Sequence, residues 1–92
     1  MDVRHALGVE LMIVQFGGVP TDFKPMSSIG AGVYELRVHI GGAFRAIYIS
    51  KLPEAVYVLH VFRKKTQKTA RLDLELAAHR YRLTLRKRHD ST

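Results

Sequence analysis

VYELRVHIGGAFRAIYIS, residues 33–50, is the stretch that decides the fold. In its first half Tyr34, Leu36, Val38 and Ile40 alternate with Glu35, Arg37 and His39. A period of two belongs to a half-buried strand with one apolar and one polar face. Gly41-Gly42 follows, a two-residue hairpin signal, because the tight turn needs backbone angles that glycine adopts without strain. The return run, Ala43–Ser50, is apolar on both faces except at Arg45 and Ser50, as a central strand should be. Lys51–Glu54 makes the next turn, and residues 55–62 form a third apolar run. The expectation is an antiparallel meander over residues 33–62.

Working outward, residues 2–16 predict a helix. Val3, Ala6, Leu7, Leu11 and Val14 recur at helical spacing, Asp2 can cap the start, and Gly17-Gly18 stop it. Residues 19–32, with Pro20, Pro25 and several small residues, read as a loop with at most one helical turn. Residues 70–88 predict a second helix with Thr69 as its candidate cap. Leu74, Ala77, Ala78, Tyr81 and Leu85 form one apolar stripe, and Leu72, Leu76, His79 and Leu83 a second on roughly the opposite side. The tail from Arg86 onward reads as frayed. The fold class is therefore α+β, as a single domain over residues 1–92: an N-terminal helix, an antiparallel sheet of three or more strands, and a C-terminal helix.

The chain has 92 residues, 47% of them hydrophobic, which suits one modest core rather than disorder. There is no cysteine, so disulfides and thiolate metal sites are excluded. The five histidines show no metal-ligand spacing, and neither metal nor cofactor is expected. No apolar run approaches the roughly 18 residues that span a bilayer, and no secretion leader is legible, so a cytoplasmic protein without membrane partners is expected. The formal net charge is +7. Residues 1–62 hold five basic and five acidic residues, so the whole excess lies in residues 63–92. A basic surface of this kind concentrates polyanions, nucleic acid first among them.

Five of the eleven residues in VFRKKTQKTAR (61–71) are cationic: Arg63, Lys64, Lys65, Lys68 and Arg71. They are either a solvated turn or a phosphate-binding edge held at the end of an anchored strand, with Thr66, Gln67 and Thr69 as interleaved polar donors. Arg45 lies within an apolar strand, where an unpaired guanidinium would be costly. It either pairs with Glu35 or faces a cleft, and the two are compatible. Arg37 and His39 are ordinary strand residues unless their face is also that of Arg45, in which case all belong to one basic groove. His60 is either a hydrogen-bonded core residue or a proton-transfer group. Tyr81, flanked by Arg80 and Arg82, is either core or a base-stacking residue. A cationic groove of this kind can stabilise charge developing on a phosphate and can hold a lysine or histidine of lowered pKa.

Tyr34–Arg37, Phe44-Arg45 with Tyr48, and the block from His60 to Lys68 resemble the phage-related, HigB-like branch of the RelE/ParE toxin superfamily, over about residues 30–82. The resemblance implies a RelE-like α+β toxin of a type II toxin–antitoxin pair. Its activity would be metal-independent cleavage of messenger RNA, usually on the ribosome, with the ribose 2′-hydroxyl attacking the adjacent phosphate. Arg45, Lys64 and Lys65 would carry catalysis. Arg37, Arg63, Lys68 and Arg71 would contact RNA. His60, Lys65 and Tyr81 are the candidates for general acid or base. The implied partners are messenger RNA and a cognate antitoxin of helix-turn-helix type that covers the basic site. The alternative is a ParE-like inhibitor of DNA gyrase, or a non-catalytic module that binds nucleic acid or antitoxin. The chain begins at the first helix, without the strand that usually opens this family. Self-association through an exposed sheet edge, or through the second apolar face of the last helix, is therefore expected.

Overall fold

A computed structural model describes residues 2–64 and 69–90. Helix α1 spans Val3–Gln15 and opens on Asp2, whose carboxylate accepts from the His5 backbone N–H at 2.8 Å. It ends in a Schellman motif: Gly17, at φ 86°, donates to the Val14 carbonyl at 3.0 Å, and Gly18 donates to the Ile13 carbonyl at 2.8 Å. Four strands follow: β1 (Phe23–Pro25), β2 (Val33–His39), β3 (Ala43–Ile49) and β4 (Tyr57–Lys64). They form one antiparallel sheet in the order β1-β2-β3-β4, so β3 is central, as its two-sided apolar pattern requires. Helix α2 spans Arg71–Asp90. None of the described helices is long and apolar enough to cross a membrane.

The alternation in β2 and β3 builds two cores, one on each face of the sheet. Ala6 and Leu7 of α1 pack on Leu36, Val38, Ala46 and Tyr48. Ala77 of α2 packs on Val33, Ile47, Ile49 and Leu59, with Leu74, Phe62 and Tyr81 around it. Tyr48 is 1% exposed, and burial first of all pushes its phenol up to about 12. It is a neutral core residue. A bulge adjusts the third strand pair: Ile47 opposes His60 while Tyr48 opposes Val58, leaving Leu59 as the extra residue. Leu59 is therefore buried in the α2 core although its neighbour His60 also meets α2.

The structure differs from the sequence reading at four places. The segment 19–32 contains β1, whose three residues pair with Tyr34, Glu35 and Leu36. A three-residue strand is too short to show a period, and Pro25 sits on the edge strand, where a missing N–H costs no ladder bond. The last strand runs on to Lys64, so Arg63 and Lys64 are strand residues rather than loop residues. Thr69 does not cap α2: its hydroxyl donates to Glu35 at 2.9 Å, and the first helical bond runs from the Leu74 N–H to the Ala70 carbonyl at 3.1 Å. The tail is not frayed from Arg86. Helix continues to Asp90, and the Arg88 fork grips both Glu54 carboxylate oxygens, Nη2 to Oε1 at 3.0 Å and Nε to Oε2.

Gly30 lies against the Tyr81 ring, where a Cβ would come within 2.3 Å of Cζ, whereas one at Gly8 in mid-α1 meets nothing within 4 Å. In urea unfolding, Gly30→Ala should cost about 1–3 kcal/mol. Gly8→Ala should gain about 0.5–1 kcal/mol. The Arg88 guanidinium also lowers the Glu54 carboxyl from 4.5 to about 2. Its folded value lies below its unfolded one, so its stabilisation is complete above pH 4.5 and disappears as pH falls through about 2. A carboxyl NMR titration should place the Glu54 midpoint near 2, and Arg88→Gln should return it towards 4.5.

Candidate functional site

Antiparallel pairing sets which charges meet. Arg37 and Arg45 are direct cross-strand partners, so their side chains leave the same face of the sheet. The ladder then continues Arg45 opposite Phe62 and Ala43 opposite Lys64, and on the other side Glu35 opposite Lys24. Lys24, Glu35, Arg37, Arg45 and Lys64 therefore share the face on which α2 packs. Like charges directly opposite one another repel, so the Arg37–Arg45 pair needs an anion.

Glu35 supplies it. Its side chain has no exposed surface. Oε1 accepts from Arg37 Nε at 3.5 Å and lies 3.5 Å from Arg45 Nε, and Oε2 accepts from the Thr69 hydroxyl at 2.9 Å. The Arg45 contact is an ion pair by distance, yet Arg45 Nε has no hydrogen-bond partner among the described residues. Both hold, because its N–H is not aimed at the oxygen. Arg45 Nη1 donates to the Phe44 carbonyl at 3.2 Å, and the Arg45 side chain is 7% exposed. Arg37 is more open, at 26%, and also pairs with Asp22 at 3.6 Å. The ammonium of Lys64 is pushed below the ordinary lysine value, by burial first and then by the Arg45 guanidinium.

His60 stands beside this cluster and joins β4 to α2. Its Nε2 is 2.7 Å from Asp73 Oδ1, its ring stacks on Phe62 at 5.0 Å, and Arg80 Nη1 lies 3.4 Å from its Nδ1. An arginine can only donate, so a neutral His60 accepts at Nδ1 and carries its proton at Nε2, towards Asp73. Arg80 Nη1 also donates to the carbonyl of the bulged Leu59 at 2.9 Å.

The structure thus brings together Arg37, Arg45 and Lys64, with His60 alongside. It does not bring Arg63 to them. Arg63 opposes Phe44 on the α1 side of the sheet, with its guanidinium 5.8 Å from the Phe44 ring centroid. Arg71 is exposed in the first turn of α2 and pairs with Glu75 at 2.8 Å. Tyr81 sits farther along α2 in the second core, its hydroxyl donating to the Ala31 carbonyl at 3.4 Å. Lys65 and Lys68 lie outside the described residues. The sequence reading missed Lys24 and Arg80 as neighbours of the site, and it counted Asp73 among the few carboxylate candidates without pairing it to His60. Lys24 lies in a segment whose prolines and small residues read as a loop. Asp73 and Arg80 lie about two turns apart on α2 with buried Ala77 between them, in a helix rich in charged residues, so no sequence period marks them. No group of three or more His, Asp or Glu able to hold a metal occurs among the described residues.

The family described as phage derived protein Gp49-like (DUF891) matches residues 1–82, and the chain belongs to this phage-derived, toxin-like family. No curated protein and no solved structure matches it.

Removing one partner from a buried ion pair leaves the other uncompensated. Arg45→Met should therefore cost on the order of 3 kcal/mol in urea unfolding. Glu35→Leu with Arg45→Met should cost less than the two single changes added together, with a coupling of about 1–3 kcal/mol.

Proposed function

We propose that the protein is the toxin of a toxin–antitoxin pair and cleaves messenger RNA without a metal, by the ribose 2′-hydroxyl route. The observation that carries this reading is the Arg37–Arg45 pair, set side by side over buried Glu35 with Lys64 on the same face. Two fixed guanidiniums and an ammonium form a preorganised cationic surface, the arrangement that favours a phosphate gaining negative charge in the transition state. Membership of a phage-derived, toxin-like family supports the same reading.

In the step proposed, the 2′-oxygen forms a bond to phosphorus while the bond from phosphorus to the 5′-oxygen breaks. The products are a 2′,3′-cyclic phosphate and a free 5′-hydroxyl. Arg37, the more exposed arginine, holds the phosphate. Arg45 adds positive charge from beneath it. Lys64 protonates the leaving 5′-oxygen, and the 2′-hydroxyl proton passes to solvent water. Lowering an ammonium from the ordinary lysine value makes it a better proton donor near neutral pH. His60, with both ring nitrogens engaged, steadies β4 against α2. An antitoxin would silence the protein by laying carboxylates over the same cations.

The test is to map new 5′ ends on a reporter message translated by purified ribosomes. Wild type should produce cuts. Arg45→Lys, which keeps charge but loses the fork, and Lys64→Arg, which keeps charge but does not release its proton, should each reduce cutting about 10²–10³-fold. With wild type, cutting should decline as pH rises through the lowered Lys64 value, and Lys64→Arg should abolish that decline. A folded wild type that makes no cuts overturns the endonuclease and favours a non-cleaving inhibitor of the gyrase-binding kind.

A further inference from the structure

We infer that Glu35 is the positioning residue of this site: it fixes the two arginines and, through Thr69, ties the start of α2 to them. The inference rests on the RNA-cleaving reading above. Glu35 touches Arg37, Arg45 and Thr69 together, and with no exposed surface it reaches no substrate itself. It acts only through its partners. Arg37 is held from a second side by Asp22, but for Arg45 Glu35 is the one carboxylate in ion-pair contact among the described residues.

The connection to Thr69 extends this role beyond the sheet. Thr69 lies just ahead of α2 and 34 positions from Glu35 in the chain. Its hydroxyl gives its proton to the same carboxylate whose other oxygen faces the guanidiniums. One buried side chain therefore sets the arginines and the helix start in a common frame. A carboxylate placed only to neutralise charge would not need an oxygen committed to the hydroxyl of a distant segment.

The experiment uses the full chain with Glu35→Gln, which keeps the shape and an acceptor for Thr69 but removes the charge. Two readouts are taken: hydrogen exchange at the Arg37 Nε–H, which bonds Glu35, by ¹⁵N NMR, and kcat and KM for ribosome-dependent cleavage. Positioning predicts Nε–H exchange roughly tenfold faster or more. It also predicts kcat lower on the order of a hundredfold, the cost of about 1 Å of misplacement. KM should stay level or fall, because removing a negative charge beside the cations does not weaken RNA binding. Unchanged exchange overturns the inference. So does an increase in KM with kcat intact, which would make Glu35 a determinant of binding alone. A structural role alone would lower the folded fraction without moving kcat per folded molecule. If Glu35→Gln does not fold, Thr69→Val serves, since it removes only the hydroxyl bond, and the same changes are expected at smaller size. A wild type that fails to cleave defeats the endonuclease reading separately, and the exchange arm still decides whether Glu35 holds Arg37.

Discussion

A carboxylate with no exposed surface is the constraint on which the rest of this structure depends. Removing an ion from water costs several kcal/mol unless counter-charges and hydrogen bonds replace the lost hydration. Glu35 meets that demand with Arg37 from its own strand, Arg45 from the next, and the Thr69 hydroxyl from the approach to α2. Those contacts suit one register of β2 on β3. A slip of one residue would move Arg45 to the α1 core and leave Glu35 among apolar side chains. The hairpin at Gly41-Gly42 and the apolar alternation favour the same register, so the local and the long-range terms agree.

The same alternation divides the basic run at the end of β4. Strand geometry sends Lys64 to the face of Arg45 and Arg63 to the other, over Phe44. Adjacent cations in sequence are thereby placed on opposite sides of the sheet. The bulge at Leu59 has a complementary effect, since it lets Leu59 enter the core while His60 reaches Asp73. Arg80 then donates to the carbonyl of the bulged Leu59. The β4–α2 junction is fixed by polar contacts at its site end and by Ala77 and Tyr81 farther along.

This arrangement gives a phage-derived, toxin-like chain a cationic face with graded exposure. Arg37 is partly open to solvent, while Arg45 is nearly enclosed behind it. A charge supplied from behind is screened less by salt than one at the surface. Apolar side chains left in the open include Met12, Phe16 and Val19 along and after α1, Val58 and Val61 of β4, and Leu72 in the first turn of α2.

The sequence by itself determined the helices, the hairpin and the central place of β3, because each is written in a local period, and the cost of burying an arginine offered the Arg45–Glu35 pair as one of two readings. It also located the positive charge. Only the tertiary structure decided which charges act together. Whether Arg63 or Lys64 joins Arg45 depends on where β4 ends and how its bulge shifts the register, and neither leaves a mark in composition. β1 was invisible because three residues show no period, and Lys24 was lost with it. Thr69 could have capped the helix on its own. It bonds Glu35 instead because a buried carboxylate left with an empty oxygen costs more than an uncapped helix end that water can solvate.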